Sequence, residues 1–478
     1  MAVREATVDQ RFAEFAAKME SAQLPELVIR IFRHYYDQLL AGATGLVPGN
    51  VAGPVQSIQE YDDLHSHYAN IGRQVLDKAL VLKLNGGLGT SMGMSGPKSL
   101  IEVKDGLSFL DITIRQVLDA RRRTGARLPL VLMNSFSTHD ATVEALQTVP
   151  EFAQDIPIDF LQHKKPRIWR DTLSPVTWPA DPSREWCPPG HGDIYVALLT
   201  SGLLPKILDA GYEYAFVSNS DNLGAVLDEE ILGYMAAEQI SFLMEVAHRT
   251  LADSKGGHLA RRPDGQLILR ELAQCPPDEM DAFQDIELYR FFNTNNIWLH
   301  LPTLYQVMRT HNDMLELPLI RNEKPIDSTN PQSPRVYQLE TAMGSAIALF
   351  PDAQALCVPR IRFIPVKRNT DLLILRSDVY RLTQEHRLEL APERHAGPPR
   401  RPPLVFLDER YYQFIEDFNA RFARGAPSLV QAIALHVEGD VYFGAGVVIE
   451  GEVHIINRGQ RPMLIPDGAH LANTVHTA

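Results

Sequence analysis

Apolar positions at mostly helical spacing open the chain: Phe12, Phe15, Leu24, Leu27, Ile31 and Phe32 predict an N-terminal helical piece over residues 1–45. The Gly- and Pro-containing segment Ala43 to Pro54 ends it. From about residue 78 to 376 the pattern becomes short apolar runs alternating with helical stretches. The runs Leu80 to Leu84, Pro129 to Met133, Tyr214 to Val217, Ser241 to Val246, Ile297 to His300 and Asp371 to Leu375 predict buried strands. Their alternation with helices predicts an α/β fold, whose sites sit at the carboxyl ends of the strands.

Residues 391–403, rich in Pro and Arg, read as an exposed loop or linker, with a helix following over roughly Asp408 to Phe422. Beyond it Val437, Phe443, Ile449 and Ile455 recur every six residues, as do Leu435, Val441, Val447 and Val453, with Gly439, Gly444, Gly446 and Gly451 at the turns. Two interleaved apolar registers of period six predict a parallel β-helix, which Ile465 and Leu471 would extend. The resulting division is a helical segment 1–45, a catalytic domain 46–376 and a C-terminal domain 377–478.

At 478 residues, 45% hydrophobic and 22% charged, the chain can bury a sizeable core. A net charge of −13 argues against a dedicated nucleic-acid or anionic-membrane binder. No apolar run approaches the roughly 20 residues of a membrane helix, and the first residues lack a signal-peptide core, so a cytoplasmic location is expected. Cys187, Cys275 and Cys357 are too far apart in sequence for a disulfide framework and read as buried thiols.

The strongest local signal is Leu80 to Ser99, where a strand runs into a glycine-rich loop that ends on Lys98. Such a loop brings backbone N–H groups against phosphates or a base with no Cβ in the way. It is neither dinucleotide fingerprint nor P-loop: Met92 stands where the former needs glycine, and Pro97 separates Gly96 from Lys98. Lys98 supplies a positive point charge suited to nucleotide phosphates. In Pro188 to Asp193 two glycines flank His191 on a tight loop, although a lone histidine is more often structural. In Phe216 to Gly224, Asn219, Asp221 and Asn222 place a carboxylate at a strand end, where it can hold a nucleotide metal. An Asx turn or helix N-cap fits Asp221 nearly as well on spacing alone. Arg360 to Lys367 alternates basic and apolar residues, as a half-buried strand with one face toward anions would. Spacing leaves open the roles of Lys255 to Gly257, Phe292 to Asn296 and Leu339 to Ala346.

Together these segments closely resemble the eukaryotic-type UTP–glucose-1-phosphate uridylyltransferase family. The resemblance rests on Lys83 to Gly93, Gly96 to Ser99, Leu132 to Phe136, Pro188 to Asp193, Ser218 to Gly224, Asn293 to Asn296, Leu339 to Ala342 and Arg362 to Lys367, in the family's order. It implies a nucleotide-sugar transferase domain, Rossmann-like and GT-A-like, followed by a left-handed parallel β-helix. It implies that Leu84, Asn85, Gly86 and Gly87, with Gln162 and Gly190, hold the uracil and ribose end of UTP, and that Lys98 and Lys367 lie along its phosphates. His191, Asn219, Ser220 and Asp221 would contact nucleotide and sugar phosphate, and Asp221 would bind Mg2+. The implied reaction joins UTP and glucose 1-phosphate into UDP-glucose and pyrophosphate by in-line attack on the α-phosphorus, with the β-helix as the surface through which copies would assemble. Three alternatives stand beside it: a UDP-N-acetylhexosamine pyrophosphorylase, a broad-specificity UDP-sugar pyrophosphorylase, and a non-catalytic UDP-sugar sensor. The first two usually carry an arginine in the glycine loop, where this chain reads Gly89-Thr-Ser-Met-Gly93. Met94, Ser95 and Ser220 depart from the family's usual residues without replacing a group assigned to chemistry.

Overall fold

A computed structural model describes residues 2–94, 96–147, 149, 152–250, 253–327, 330–395 and 401–477. Its centre is a mixed sheet in the order Gln59–Glu60, Gln354–Cys357, Phe242–His248, Phe291–His300, Tyr214–Asn219, Ala79–Asn85, Leu130–Asn134, Asp159–Leu161. Phe291–His300 is antiparallel to both neighbours and the other pairings in this order are parallel. Ala79–Asn85 is buried at every residue, as a strand covered on both faces must be. Leu80, Leu82 and Leu84 pack in one core with Ile194, Leu198 and Leu204; Ala79 and Val81 pack in another with Leu110, Ile114 and Val117. The period of two thus divides the two helical layers.

The N-terminal piece is two helices, Ala2–Ser21 and Glu26–Leu40, whose Phe15, Phe32 and Tyr36 pack with Ile168, Leu319 and Leu339 of the main body. At the other end, Leu404–Leu407, Ser428–Glu438, Val448–Ile456 and His470–Thr477 form a parallel ladder, and Val441–Phe443 pairs in parallel with Met463–Ile465. Leu435 lies opposite Val453 and Val437 opposite Ile455, three periods of six along the chain. Val448 meets His470, so the next turn is longer. Both apolar registers, Leu435 to Val453 and Val437 to Ile455, are buried.

Some expected elements change form. Asp371 to Leu375 lies inside the helix Asn369–Arg376, because the Asp371 carboxylate accepts the N–H groups of Lys367 and Arg368 at 2.7 and 2.9 Å and caps a helix start. A four-residue apolar run does not by itself separate a buried helix from a strand. Arg360 to Lys367 is not a strand: Arg360–Arg362 is a single 3-10 turn, and between flanking prolines only Pro365 makes a bridge, to Asn222. The helix expected over Asp408 to Phe422 is two, Glu409–Tyr412 and Ile415–Arg421, split where Asn369 Nδ2 donates to the carbonyls of Tyr412 and Gln413. Within the expected linker, Pro392–His395 forms a helical turn and residues 396–400 lie outside the described residues.

The helix His67–Val75 packs against Glu229–Ala237 through two glycines. A Cβ on Gly233 would stand 1.8 Å from the Tyr68 carbonyl oxygen, and one on Gly72 1.7 Å from that of Glu229. Alanine raises intrinsic helix propensity, so overpacking and propensity oppose each other in sign. Gly233→Ala is expected to lower the melting temperature by at least about 3 °C in calorimetry. A rise would show that propensity wins and that the helices part at little cost.

Candidate functional site

The carboxyl ends of Ala79–Asn85 and Tyr214–Asn219 lie side by side, Leu84 opposite Asn219. The Ser220 N–H donates to the Leu84 carbonyl at 3.1 Å, so the glycine loop and the Asn219 to Asp221 turn leave the sheet as one unit. Asn85 turns its side chain inward, Nδ2 donating to Asn134 Oδ1 at 2.8 Å and Thr142 Oγ1 at 3.0 Å; what it offers a ligand is backbone. A Cβ on Gly86 would come within 2.8 Å of the Gln162 amide nitrogen, so glycine there lets Gln162 lie against the loop. The Gln162 N–H is anchored on the Asn134 carbonyl at 2.8 Å. Gly87 faces open space, and its carbonyl accepts the Lys98 N–H at 3.2 Å, which closes the loop.

Lys98, Asp221 and Lys367 converge. Lys98 Nζ donates to Asp221 Oδ2 at 2.8 Å and also to the Val366 carbonyl, while Lys367 Nζ lies 4.0 Å from the same carboxylate oxygen. The Lys98 and Asp221 side chains are 14% and 12% exposed, against 59% for Lys367. Among the described residues Asp221 Oδ1 is buried with no hydrogen-bond partner. A buried carboxylate oxygen is costly unless something pairs with it, and an oxygen-seeking cation such as Mg2+ fits it. The N-cap reading of Asp221 does not hold: the helix Glu229–Ala237 is capped by Asp228.

Beneath this cluster lies a buried polar network that spacing did not reveal. Glu245, fully buried, accepts from Arg362 at 2.9 and 2.5 Å, from Asn296 Nδ2 at 2.9 Å and from Trp298 Nε1 at 2.9 Å. Asn222 joins in, donating to the Arg362 carbonyl and accepting the Ile364 N–H. Lys83, buried, donates to Ser218 Oγ and the Ala225 carbonyl, both at 2.7 Å; burial first, then the Arg362 charge, pushes it down to about 7. Of the basic residues expected to line an anion-facing strand, Arg362 is thus internal and Arg360 pairs with Asp253; Lys367 alone of the three reaches the cleft cluster. The legible signals were the charges of Lys83 and Glu245 inside otherwise apolar runs.

The Pro188 to Asp193 loop closes another side. Gly190 has φ +86°, and a Cβ there would meet the Thr341 carbonyl oxygen at 2.5 Å. The Gly192 N–H donates to the Thr341 carbonyl at 2.9 Å and the Thr341 N–H to the Pro189 carbonyl at 3.0 Å, so Leu339 to Ala342 forms the loop's bed. The Met343 N–H donates to His191 Nδ1 at 3.0 Å, which leaves the ring proton on Nε2. Burial, then the Lys367 charge, brings His191 down to about 4. The previously open segments Lys255 to Gly257 and Phe292 to Asn296 meet nearby: the Asn293 N–H donates to the Gly257 carbonyl at 2.9 Å, and Gly257 abuts the Glu271 carboxyl, which burial pushes up to about 7.

A family model described as UTP–glucose-1-phosphate uridylyltransferase matches residues 29–450. A probable UTP–glucose-1-phosphate uridylyltransferase of Schizosaccharomyces pombe is 41% identical over 423 residues, 88% of this chain and 81% of the relative. The Solanum tuberosum UTP–glucose-1-phosphate uridylyltransferase is 40% identical over 402 residues, 84% of this chain and 81% of the relative. Among solved structures, a Leishmania major UDP-glucose pyrophosphorylase variant in complex with UDP-glucose superposes with a TM-score of 0.90 at 45% identity, covering 98% of this chain and 99% of that one.

His191 is expected to be a neutral donor at physiological pH. A 13C-edited NMR titration should place its midpoint at about 4, against about 6.5 for an ordinary histidine. Because the folded value is depressed, His191 costs stability as pH falls below about 6.5, the loss levelling off near 4. A midpoint near the ordinary value would overturn both statements.

Proposed function

The chain belongs to the UTP–glucose-1-phosphate uridylyltransferase family, and on that premise we propose how its cleft works. It forms UDP-glucose and pyrophosphate from UTP and glucose 1-phosphate. The observation that supports the site assignment is the meeting of Lys98, Lys367 and Asp221 beside the glycine loop.

In this reading the backbone of Leu84 to Gly87, with Gln162 and Gly190, receives the uracil and ribose. A phosphate oxygen of glucose 1-phosphate attacks the α-phosphorus in line, a P–O bond forms, and the bond to the departing pyrophosphate breaks. The attacking phosphate is already ionised, so no side chain need act as nucleophile or base. What remains is to align two anions that repel each other and to oppose the charge of the leaving group. Lys367, more than half exposed and loosely held, can swing from Asp221 onto phosphate oxygens, while Lys98 is fixed by its two partners. His191 offers Nε2–H, with Asn219 and Ser220, to the sugar phosphate. Glu271 and Asn293 offer an acceptor and a donor to sugar hydroxyls beside it. Asp221 would hold Mg2+ through Oδ1, and when bound that ion neutralises phosphoryl and pyrophosphate charge.

The finer architecture belongs to the same proposal. The parallel ladders of residues 404–477 support a short left-handed β-helix, and the strand-end cleft supports a Rossmann-like, GT-A-like domain over 46–376 between segments 1–45 and 377–478. Assembly of copies through the β-helix is part of that reading. No helix among the described residues is long and apolar enough to cross a membrane, and the three cysteines are free, in keeping with a cytoplasmic placement.

The deciding assay measures pyrophosphate release from UTP and magnesium with glucose 1-phosphate, galactose 1-phosphate and N-acetylglucosamine 1-phosphate offered separately. Turnover with glucose 1-phosphate alone is expected; turnover mainly with another sugar would select one of the related pyrophosphorylases, and UDP-sugar binding without turnover would select a sensor. Lys367→Ala should lower kcat by about 10²-fold or more with a smaller change in the KM for UTP, and an unchanged kcat would remove Lys367 from the mechanism. Asp221→Ala should abolish magnesium-dependent turnover.

A further inference from the structure

Away from the glycine loop, three parallel strands bring a second set of donors to the same rim of the sheet. Gln59–Glu60 pairs with Gln354–Cys357, Glu60 directly opposite Cys357, and Cys357 in turn lies opposite Val246 of Phe242–His248. Side chains alternate along a strand, so His248, two residues past Val246, emerges on the face shared by Cys357 and Glu60. One donor atom from each of Glu60, His248 and Cys357 lies within 4.8 Å of the others. His248 Nε2 stands 3.2 Å from Glu60 Oε1, and the Cys357 Sγ lies within 4.8 Å of donor atoms of both.

We propose that Glu60, His248 and Cys357 form a binding site for a zinc-class divalent cation, distinct from the Asp221 cleft. A thiolate, an imidazole and a carboxylate select Zn2+ over Mg2+ or Ca2+, which take oxygen ligands. Three protein ligands leave a fourth position for water. The site has a way in: the His248 and Glu60 side chains are 64% and 38% exposed, while Cys357, 2% exposed, forms its floor. Only the thiolate is a metal ligand, so binding must release the thiol proton to solvent. Affinity therefore rises with pH.

The position gives the site a consequence. Gln59–Glu60 is a two-residue edge strand with little ladder of its own, and the cation would tie it to the sheet. The same cation would hold the strand that carries Glu245 and the start of the segment that leads from Cys357 through Arg362 to Lys367. Occupancy would thus stiffen the frame behind the cleft without touching substrate.

The test uses the full chain without nucleotide or magnesium, with Co2+ as a spectroscopic probe and Zn2+ as competitor. Wild type and Asp221→Ala should both show a thiolate-to-cobalt charge-transfer band that Zn2+ displaces, and Zn2+ should raise the melting temperature. Cys357→Ser should lose the band, and His248→Ala, a change at an exposed residue, should weaken Zn2+ binding by at least about 10-fold in calorimetry. Absence of the band in wild type, or undiminished Zn2+ binding in His248→Ala, would overturn the site. A Zn2+-induced rise in melting temperature that survives in Cys357→Ser and is lost in Asp221→Ala would instead place the metal in the cleft and overturn it equally.

Discussion

A carboxylate buried at the centre of the sheet must be paired, and Glu245 obliges four chain segments to come together around it. Its oxygens accept from Arg362, Asn296 and Trp298, and Arg362 passes the constraint on through its carbonyl to Asn222. Replacing such an ion pair by apolar residues is often neutral for stability, whereas removing one partner is severe. Its value here is placement. With Arg362 locked inward, the chain runs on through Pro365 to deliver the Val366 carbonyl to Lys98 and Lys367 to the edge of Asp221.

The cleft that results is locally basic in a chain of net charge −13. Two lysines share one carboxylate, so incoming anions meet surplus positive charge already oriented. A unit charge about 4 Å from another is worth about 4 kcal/mol at a surface-like dielectric, so whether Lys367 faces Asp221 or a phosphate is a substantial energy. Lys98 has no such choice, since its ammonium is held by a carboxylate and a carbonyl at once. In the proposed mechanism a fixed cation and a movable one serve different ends: the first would shape the site before substrate arrives, the second would follow charge as it develops.

Much of this was legible along the chain because strand burial writes itself as apolar runs and glycine loops as clustered glycines. Lys98, Asp221 and Lys367 were each visible at a strand or loop end, and so were the period-six positions that the structure buries as parallel ladders. The misread segments fail for local reasons. Asp371 to Leu375 has the composition of a strand, and only the Asp371 cap and the burial of Leu372, Leu373 and Leu375 reveal the helix. Arg360 to Lys367 alternates like a strand, but its prolines deny it a ladder, and pairing partners more than a hundred residues away decide where each guanidinium goes. The Asn85 side chain is a buried brace, and a motif does not say whether side chain or backbone would face a ligand.

Long-range pairing also explains why Asp221 and the Glu60, His248 and Cys357 cluster lie on one rim. Phe242–His248 is antiparallel to Phe291–His300, which is antiparallel to Tyr214–Asn219, so the carboxyl ends of the first and last point the same way. At that end each strand stops being covered on both faces and polar side chains become affordable; Asp221 and His248 both lie at or just past such ends. Glu60, His248 and Cys357 are scattered over some three hundred residues of sequence, with nothing in their spacing to join them. The register does so, because three parallel strands in step put one face of each in line. The cleft and the Cys357 cluster are therefore consequences of one topological fact, and the chain between Cys357 and Lys367 is their shortest covalent link.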